Sequence, residues 1–501
     1  MKSGQAANLR FGFLKPWLSH EGTFICFLVL LAALNYPRRS SAQVRSLQIE
    51  AQTIATASDA TGQPFWIITD RNGIFDSSGS GALVRINASY TYKESRNWYS
   101  TVAADVIARA SPNSSTFFHQ LYAAAQYRAF ELTLGWREHT AGLVDSTLST
   151  GSMIFSRNAA TIPRISIGTP GFTNVPGTFG LIAFKGFWSH GWMGSKRFVR
   201  NPFLHEKSLH LRVFGPADFP VLGYAGITHA VIWGGRHPEF GSIPAGLSDY
   251  VDVVLGRPGE GQNLETQPTG TLGNSVAAID FALQINLKRA RTLLYRQFYA
   301  EAQSDIRFRN AADGIWGISV TRKGRSKLIN HALWEFIYTK RQGDRVAGEP
   351  RTDFSAYYAN SVYRTGWTHR GRTLGNPLLF SDGSLDRPVK NTILVAHHVG
   401  LEGELPGNLQ YKALATYSRN YGTRDDCTDN GCTGNPQYYT GRLDQYSFLF
   451  EVNGPLPIHD QLSFSAAVAL DTGELYKDTF GGMFGVIWTN NKKPTEGRIR
   501  K

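Results

Sequence analysis

His205-Glu206, with His210 five residues on, is this chain's nearest approach to a metal-binding motif. Zinc proteases place two histidines at i and i+4 on a helix, where both imidazoles share one face. Here the spacing is i, i+5 and the run LHEKSLHLRVF reads as strand, which turns His205 and His210 to opposite faces. The adjacent His397 and His398 diverge in the same way. No metal site is expected. Nor is there a G-x-S-x-G elbow, a P-loop or a dinucleotide fingerprint. The chain therefore reads as a protein without catalytic residues or cofactor.

Cys427 and Cys432 sit in RDDCTDNGCTG, a polar, turn-rich segment between two strand-like runs. In an oxidising compartment this spacing favours a local disulfide. A calcium loop on Asp425, Asp426 and Asp429 is the alternative, but the run lacks the D-x-D-x-D-G order and the distal Glu.

Carbohydrate recognition is the chemistry these residue types suit best. Aromatic rings stack on the C–H faces of sugars, while Arg, Asn and Asp hold hydroxyls and carboxylates. Trp188, His190 and Trp192 share one strand face, and YYANSVYRTGWTHRGRTLGNP from Tyr357 alternates aromatics with Arg and Asn. Candidate glycan ligands are thus Trp188, Trp192, Tyr363, Arg364, Trp367 and Asn376. The plainer account of each Trp is an interfacial belt, and that of Arg and Asn a solvated lumen wall.

These side chains need a scaffold, and alternation supplies it. In LVRINASYTYK, Val84, Ile86, Ala88, Tyr90 and Tyr92 fall on one face, and Arg85, Asn87, Ser89, Thr91 and Lys93 on the other. Similar runs follow at Trp98–Ala110, Thr116–Tyr127 and Phe130–Glu138, a meander joined by short polar breaks. Tyr90, Tyr92, Trp98 and Tyr99 suit an aromatic girdle. His139–Pro163 and Arg341–Asp353 read as long loops. The spacing predicts roughly 16–20 strands. Within Gly241–Gly261, Leu247, Tyr250, Val251 and Val254 share one helical face, with Ser248 and Asp249 at its start and Gly256 at its end. That helix would be a plug or a periplasmic appendage.

Lys2, Arg10 and Lys15 precede an apolar run from Phe24 to Leu34, and Ser40-Ser41-Ala42 offers a cleavage site after Ala42. A signal peptide over 1–42 would remove Cys26 and leave residues 43–501 as one domain. No run is long enough for a spanning helix, which needs roughly 20 apolar residues. Mean hydropathy is −0.25 although 42% of residues are hydrophobic, as suits strands with one polar face. Net charge is +13, falling to +9 once the leader's five cations and one anion are removed. Apart from the tail Lys492–Lys501 the cations are scattered singly, which argues against nucleic acid. So many strands need paired edges, and closure leaves none exposed. The expectation is an all-β transmembrane antiparallel barrel of roughly 16–20 strands, in the outer membrane of a Gram-negative cell and acting as a monomer.

The stretch YYANSVYRTGWTHRGRTLGNPLLF resembles the capsule assembly Wzi family in its Bacteroidetes-type form. GQPFWIITDRNGIF, SRNAATIPRISIG, KGFWSHGWM, FLHEKSLHLRV, AVIWGG, LSDYVDVVLG, DGIWG, HHVGLEGEL and YKALATYSRNYGT match in the family's order. The resemblance implies an all-β transmembrane antiparallel barrel of about 18 strands in the outer membrane, with small periplasmic helices. It further implies binding of exported capsular polysaccharide at the cell surface, without turnover. It assigns no individual sugar ligand. Family chains commonly finish on an aromatic residue, whereas this one continues past Trp488, leaving GGMFGVIW as the assembly signal. A porin-like diffusion channel is the alternative that the same barrel pattern allows.

Overall fold

The computed structural model describes residues 44–490 except 61, 94, 96, 258–272, 302–307, 309, 325–326, 343–355, 424–426, 429–430 and 433–436. The leader, the Lys492–Lys501 tail, the acidic residues of the calcium alternative and most of the Arg341–Asp353 gap lie outside the described residues.

Eighteen long antiparallel strands close into one barrel. They are β1 (Val44–Ser58), β2 (Gly81–Lys93), β3 (Trp98–Ala110), β4 (Ser115–Tyr127), β5 (Phe130–Trp136) and β6 (Pro163–Gly168). Next come β7 (Ala183–Trp192), β8 (Phe203–Val213), β9 (Val221–Trp233), β10 (Asn274–Asn286), β11 (Ala290–Ala300) and β12 (Gly314–Arg322). The last six are β13 (His331–Tyr338), β14 (Leu394–Leu405), β15 (Leu409–Thr423), β16 (Gln437–Pro455), β17 (Leu462–Gly473) and β18 (Thr479–Thr489). Each pairs with its neighbour in sequence. Closure comes from β1, where Ile54 lies opposite Leu83 of β2 on one side and Gly485 of β18 on the other. Asn490 staples that seam: its side chain accepts from Ile49 N at 2.9 Å and donates to Leu47 O at 2.9 Å.

The alternation sorts residues inside out. Val84, Ile86, Phe281, Phe448, Phe450 and Phe484 point outward and are exposed, while Asp105, Asp280, Glu335 and His398 point inward and are buried. A wall that is apolar outside and charged inside is what strands need in order to cross a hydrocarbon layer with every backbone group paired. Trp98 and Tyr127, with rings 6.0 Å apart, begin a girdle at the end where β1 starts and β18 stops. Short turns such as 128–129, 287–289 and 406–408 lie at that end. The long connections 59–80, 137–162, 234–273 and 339–393 leave the opposite end. In outer-membrane barrels short turns are periplasmic and long loops extracellular, which fixes the orientation.

Helix α1 (Phe65–Ile68) lies within the lumen, where Phe65, Trp66 and Ile67 are buried. Helix α2 (Leu247–Leu255) lies on neither side that the sequence suggested. It packs on the outer wall near the extracellular end. Tyr250 reaches the rings of Trp188, His190, His205 and Trp233, and Val253 packs with Val231 and Trp233. Those wall residues share the outward parity of the exposed Leu209 and Ile227. The Asp249 carboxylate accepts from Gly246 N at 2.7 Å, and Gly256, at φ 66°, ends the helix.

Candidate functional site

Three connections fold back into the lumen and pack on one another. Residues 62–76, 139–162 and 356–393 bring together Trp66, Phe75, Met153, Ile154, Phe155, Tyr358 and Trp367, all buried. Backbone groups that a loop would show to water are satisfied internally, as burial requires. The Trp367 indole donates to Ile154 O at 2.8 Å. Tyr358 OH donates to Met153 O at 2.6 Å and accepts from Asn376 N at 2.8 Å. Asn376 Nδ2 donates to Thr150 Oγ1 at 2.9 Å and to Gly151 O at 2.8 Å. Asn158 Nδ2 reaches Thr373 O at 3.0 Å. The result is a plug with its own core.

Charged side chains of the wall hold this plug. Glu335 on β13 accepts from Ser149 Oγ at 2.6 Å, Thr150 N and Oγ1 at 2.8 Å each, and Tyr295 OH at 2.5 Å. Tyr295 crosses Gly317 to get there, and a Cβ at that glycine would fall 2.0 Å from its ring. Gln297 Oε1 accepts from Met153 N at 2.7 Å, and Asp471 from Phe65 N at 2.7 Å. His398 Nε2 lies 2.8 Å from Leu148 O. Glu206 pairs with His139 at 2.7 Å and Arg164 at 3.0 Å. Arg71 meets Glu451 at 2.5 Å.

Among the described residues Arg197 and His369, in the plug region, show no carboxylate contact. Arg197 donates to the carbonyls of Thr368 and Gly366, and burial pushes its guanidinium down to about 10. His369 is held well below the usual imidazole range by burial, then by Arg370, Arg197 and Arg164.

The six candidate glycan residues part company here. Trp367, Asn376 and Tyr363 are buried in the plug, the last donating to Gly234 O at 3.2 Å. Their polar atoms already have protein partners. Trp188 and Trp192 sit on the outer wall around His190, with Trp188 beneath α2. Arg364 alone reaches the extracellular rim. It forks onto Asp386 at 2.8 and 2.7 Å, stands 3.8 Å from Glu239, and its guanidinium lies 4.4 Å from the Phe198 ring centre. Beside it His237 and the exposed Phe240 stack at 4.2 Å. His237 itself is buried and Phe198 packs on the core, so the accessible part of this cluster is Phe240, Glu239 and Asp386, with the edge of Arg364.

The histidines divide as their spacing predicts. His205 faces outward against Tyr250, and His210 faces inward, 3.1 Å from Asp280. Among the described residues no three His, Cys, Asp or Glu converge as a metal site. Cys427 and Cys432 lie directly opposite each other in a two-stranded ladder.

A closed barrel with an apolar outer wall and a packed, wall-anchored plug defines a plugged outer-membrane β-barrel. The family model for capsule assembly protein Wzi matches residues 57–382. The chain belongs to the Wzi capsule-assembly family and resides in the outer membrane. Among solved structures it is similar to Wzi of Escherichia coli, at 12% identity over 87% of this chain and 83% of that one, with a TM-score of 0.54. That protein is described as an outer-membrane protein involved in group 1 capsule assembly and a carbohydrate-binding β-barrel. OccK5 of Pseudomonas aeruginosa aligns at 9% identity over 89% and 97% of the two chains, with a TM-score of 0.44. No curated protein sequence matches.

Proposed function

We propose that this protein retains exported capsular or other extracellular polysaccharide at the outer face of its plugged barrel. It acts by binding, without turnover, as a monomer embedded in outer-membrane lipid. The observation that carries the reading is the plug. A lumen filled by a hydrogen-bonded core favours a fixed display surface over a permeation route. Family membership supports the capsule role, and the carbohydrate binding of the E. coli barrel supports the ligand class. The rim around the exposed Phe240, Glu239 and Asp386, with Arg364 half-buried among them and Phe198 and the buried His237 behind, is the contact surface, where the Phe240 ring meets sugar C–H faces and the charged groups meet hydroxyls.

Trp188, Trp192, Tyr363, Trp367 and Asn376 serve that surface indirectly, by fixing the wall and the plug beneath it. Deleting the gene should move polysaccharide from the cell-bound to the free fraction without lowering total synthesis. Unchanged fractions would end the proposal. A diffusion channel predicts steady single-channel currents, whereas the plugged barrel should be nearly silent.

A further inference from the structure

Beneath the plug, on the periplasmic side, lies a cavity of about 440 Å³. Its ceiling is the loop 140–157, and its walls are β7, β9, β10 and β11 near their periplasmic ends. The volume falls within the range of small-molecule sites, roughly 300–1,000 Å³. The lining pairs an aromatic corner with polar groups. Phe172 and Tyr224 meet edge to face at 5.3 Å, and Gln284, Ser146 and Thr140 offer donors and acceptors.

Charge decides the ligand class. Four charged residues line the cavity: Asp70, Asp145, Arg157 and Lys185. Asp70 and Arg157 neutralise each other through a fork at 2.7 and 2.8 Å. Asp145 is taken by His331 at 2.8 Å and Ser319 at 2.6 Å. Lys185 is left, and among the described residues it makes no ion pair. The nearby Glu206 carboxylate is already held by His139 and Arg164. A half-buried ammonium beside an aromatic corner and hydroxyl groups matches a sugar ring that carries a carboxylate.

We infer that this cavity is a second, periplasm-facing site, which takes one carboxylate-bearing saccharide unit with its acid group on Lys185 and its ring against Tyr224 and Phe172. The ligand class rests on the saccharide reading above; the site itself is separate from the outer rim.

Glucuronate, with glucose as the neutral control, is titrated calorimetrically into the full mature chain in detergent. Glucuronate should bind and glucose should bind at least about tenfold more weakly, as expected for loss of a charge-assisted contact. Lys185→Gln should weaken glucuronate by about tenfold, Lys185→Arg should keep most of the affinity, and Tyr224→Ala should weaken both sugars. No glucuronate binding, or equal affinity in wild type and Lys185→Gln, overturns the inference. Retention of polymeric polysaccharide on intact cells is measured in parallel. A wild-type chain that binds no glucuronate, in cells whose retention depends on the gene, sinks the cavity site alone; a wild-type chain that binds glucuronate through Lys185, in cells whose retention is unchanged by deleting the gene, sinks the outer-face reading alone.

Discussion

His331 Nε2 lies 2.8 Å from Asp145 Oδ2, and this contact fastens the deepest reach of the plug to the wall near the periplasmic end. Glu402 stands 3.4 Å from the other imidazole nitrogen, and Ser319 Oγ donates to the same Asp145 oxygen. Burial works against a charge on Asp145, but bonds from His331, Ser319 and the Leu148 and Thr147 amides together hold its carboxyl well below the usual carboxylate range.

The sign of the pH effect follows. A carboxyl whose folded pKa is depressed adds stability that is fully present above its unfolded value, about 3.9, and is lost as pH falls toward the folded value. Single-channel records should therefore stay quiet from neutral pH to about pH 4 and grow noisy only well below it. Asp145→Ala should be noisy at every pH, since it removes the carboxylate that ties the loop to His331 and Ser319, and should cost about 1.5–3 kcal/mol while Glu402 keeps a partner on the imidazole. Noise arising already near pH 6 in the wild type would assign the control elsewhere.

Asp76 makes a second, shallower anchor at the extracellular end. Burial raises its pKa, but bonds from Ser111 Oγ at 2.7 Å, Ser78 N at 3.1 Å and Asn113 N at 2.9 Å bring it down to about 2. Its contribution is full above about pH 4 and fades toward pH 2. Hydrogen exchange at the amides of Ser78 and Asn113 should accelerate in Asp76→Asn at neutral pH.

Trp367→Ala tests whether this residue is a glycan ligand or a pillar. Removing a wholly buried indole that donates to Ile154 O should cost about 3–5 kcal/mol and loosen the plug. Ion conductance should rise together with any loss of polysaccharide retention. Retention lost from a barrel that is still silent would restore Trp367 as a direct contact.

Arg364→Ala should do the reverse. Its partner Asp386 is half exposed but its own side chain only 14% so, and the fork onto Asp386 should make the substitution cost about 1 kcal/mol, a modest fall in melting beside the several-kcal/mol loss at Trp367. Cell-bound polysaccharide should drop several-fold. Equal retention in the variant would move the contact surface away from this rim.

Opposed residues in a ladder stand about 4.5–5.5 Å apart between Cα atoms, inside the span that a disulfide bridges. The mature chain, denatured without reductant, should accordingly show no free thiol at Cys427 or Cys432.

Much of the barrel was legible because its rule is local. Val84 and Ile86 against Arg85 and Asn87 announce two faces without any tertiary knowledge, and the wall obeys them. Strand β6 escaped separate notice because six residues after a long loop, opening on Pro163, give alternation little length to register. The site was less legible for a physical reason. Aromatics interleaved with Arg and Asn describe a sugar-binding surface and the core of a polar plug equally well. Only the return of 356–393 into the lumen separates Arg364 from Trp367. Asp145 and His331, 186 residues apart, meet through strand register, which no local pattern encodes. Nothing local singles out Lys185 in the sequence; only the pairing of its charged neighbours does.

Helix α2 leaves a constraint on biogenesis. Beneath it lie His190, His205 and Lys207, whose ammonium donates to Val254 O, while Leu247, Val251 and Leu255 look away from the wall. Without that cover, two imidazoles and an ammonium on β7 and β8 would confront acyl chains. This sector of the cylinder is thus comfortable in the bilayer only once α2 has seated on it.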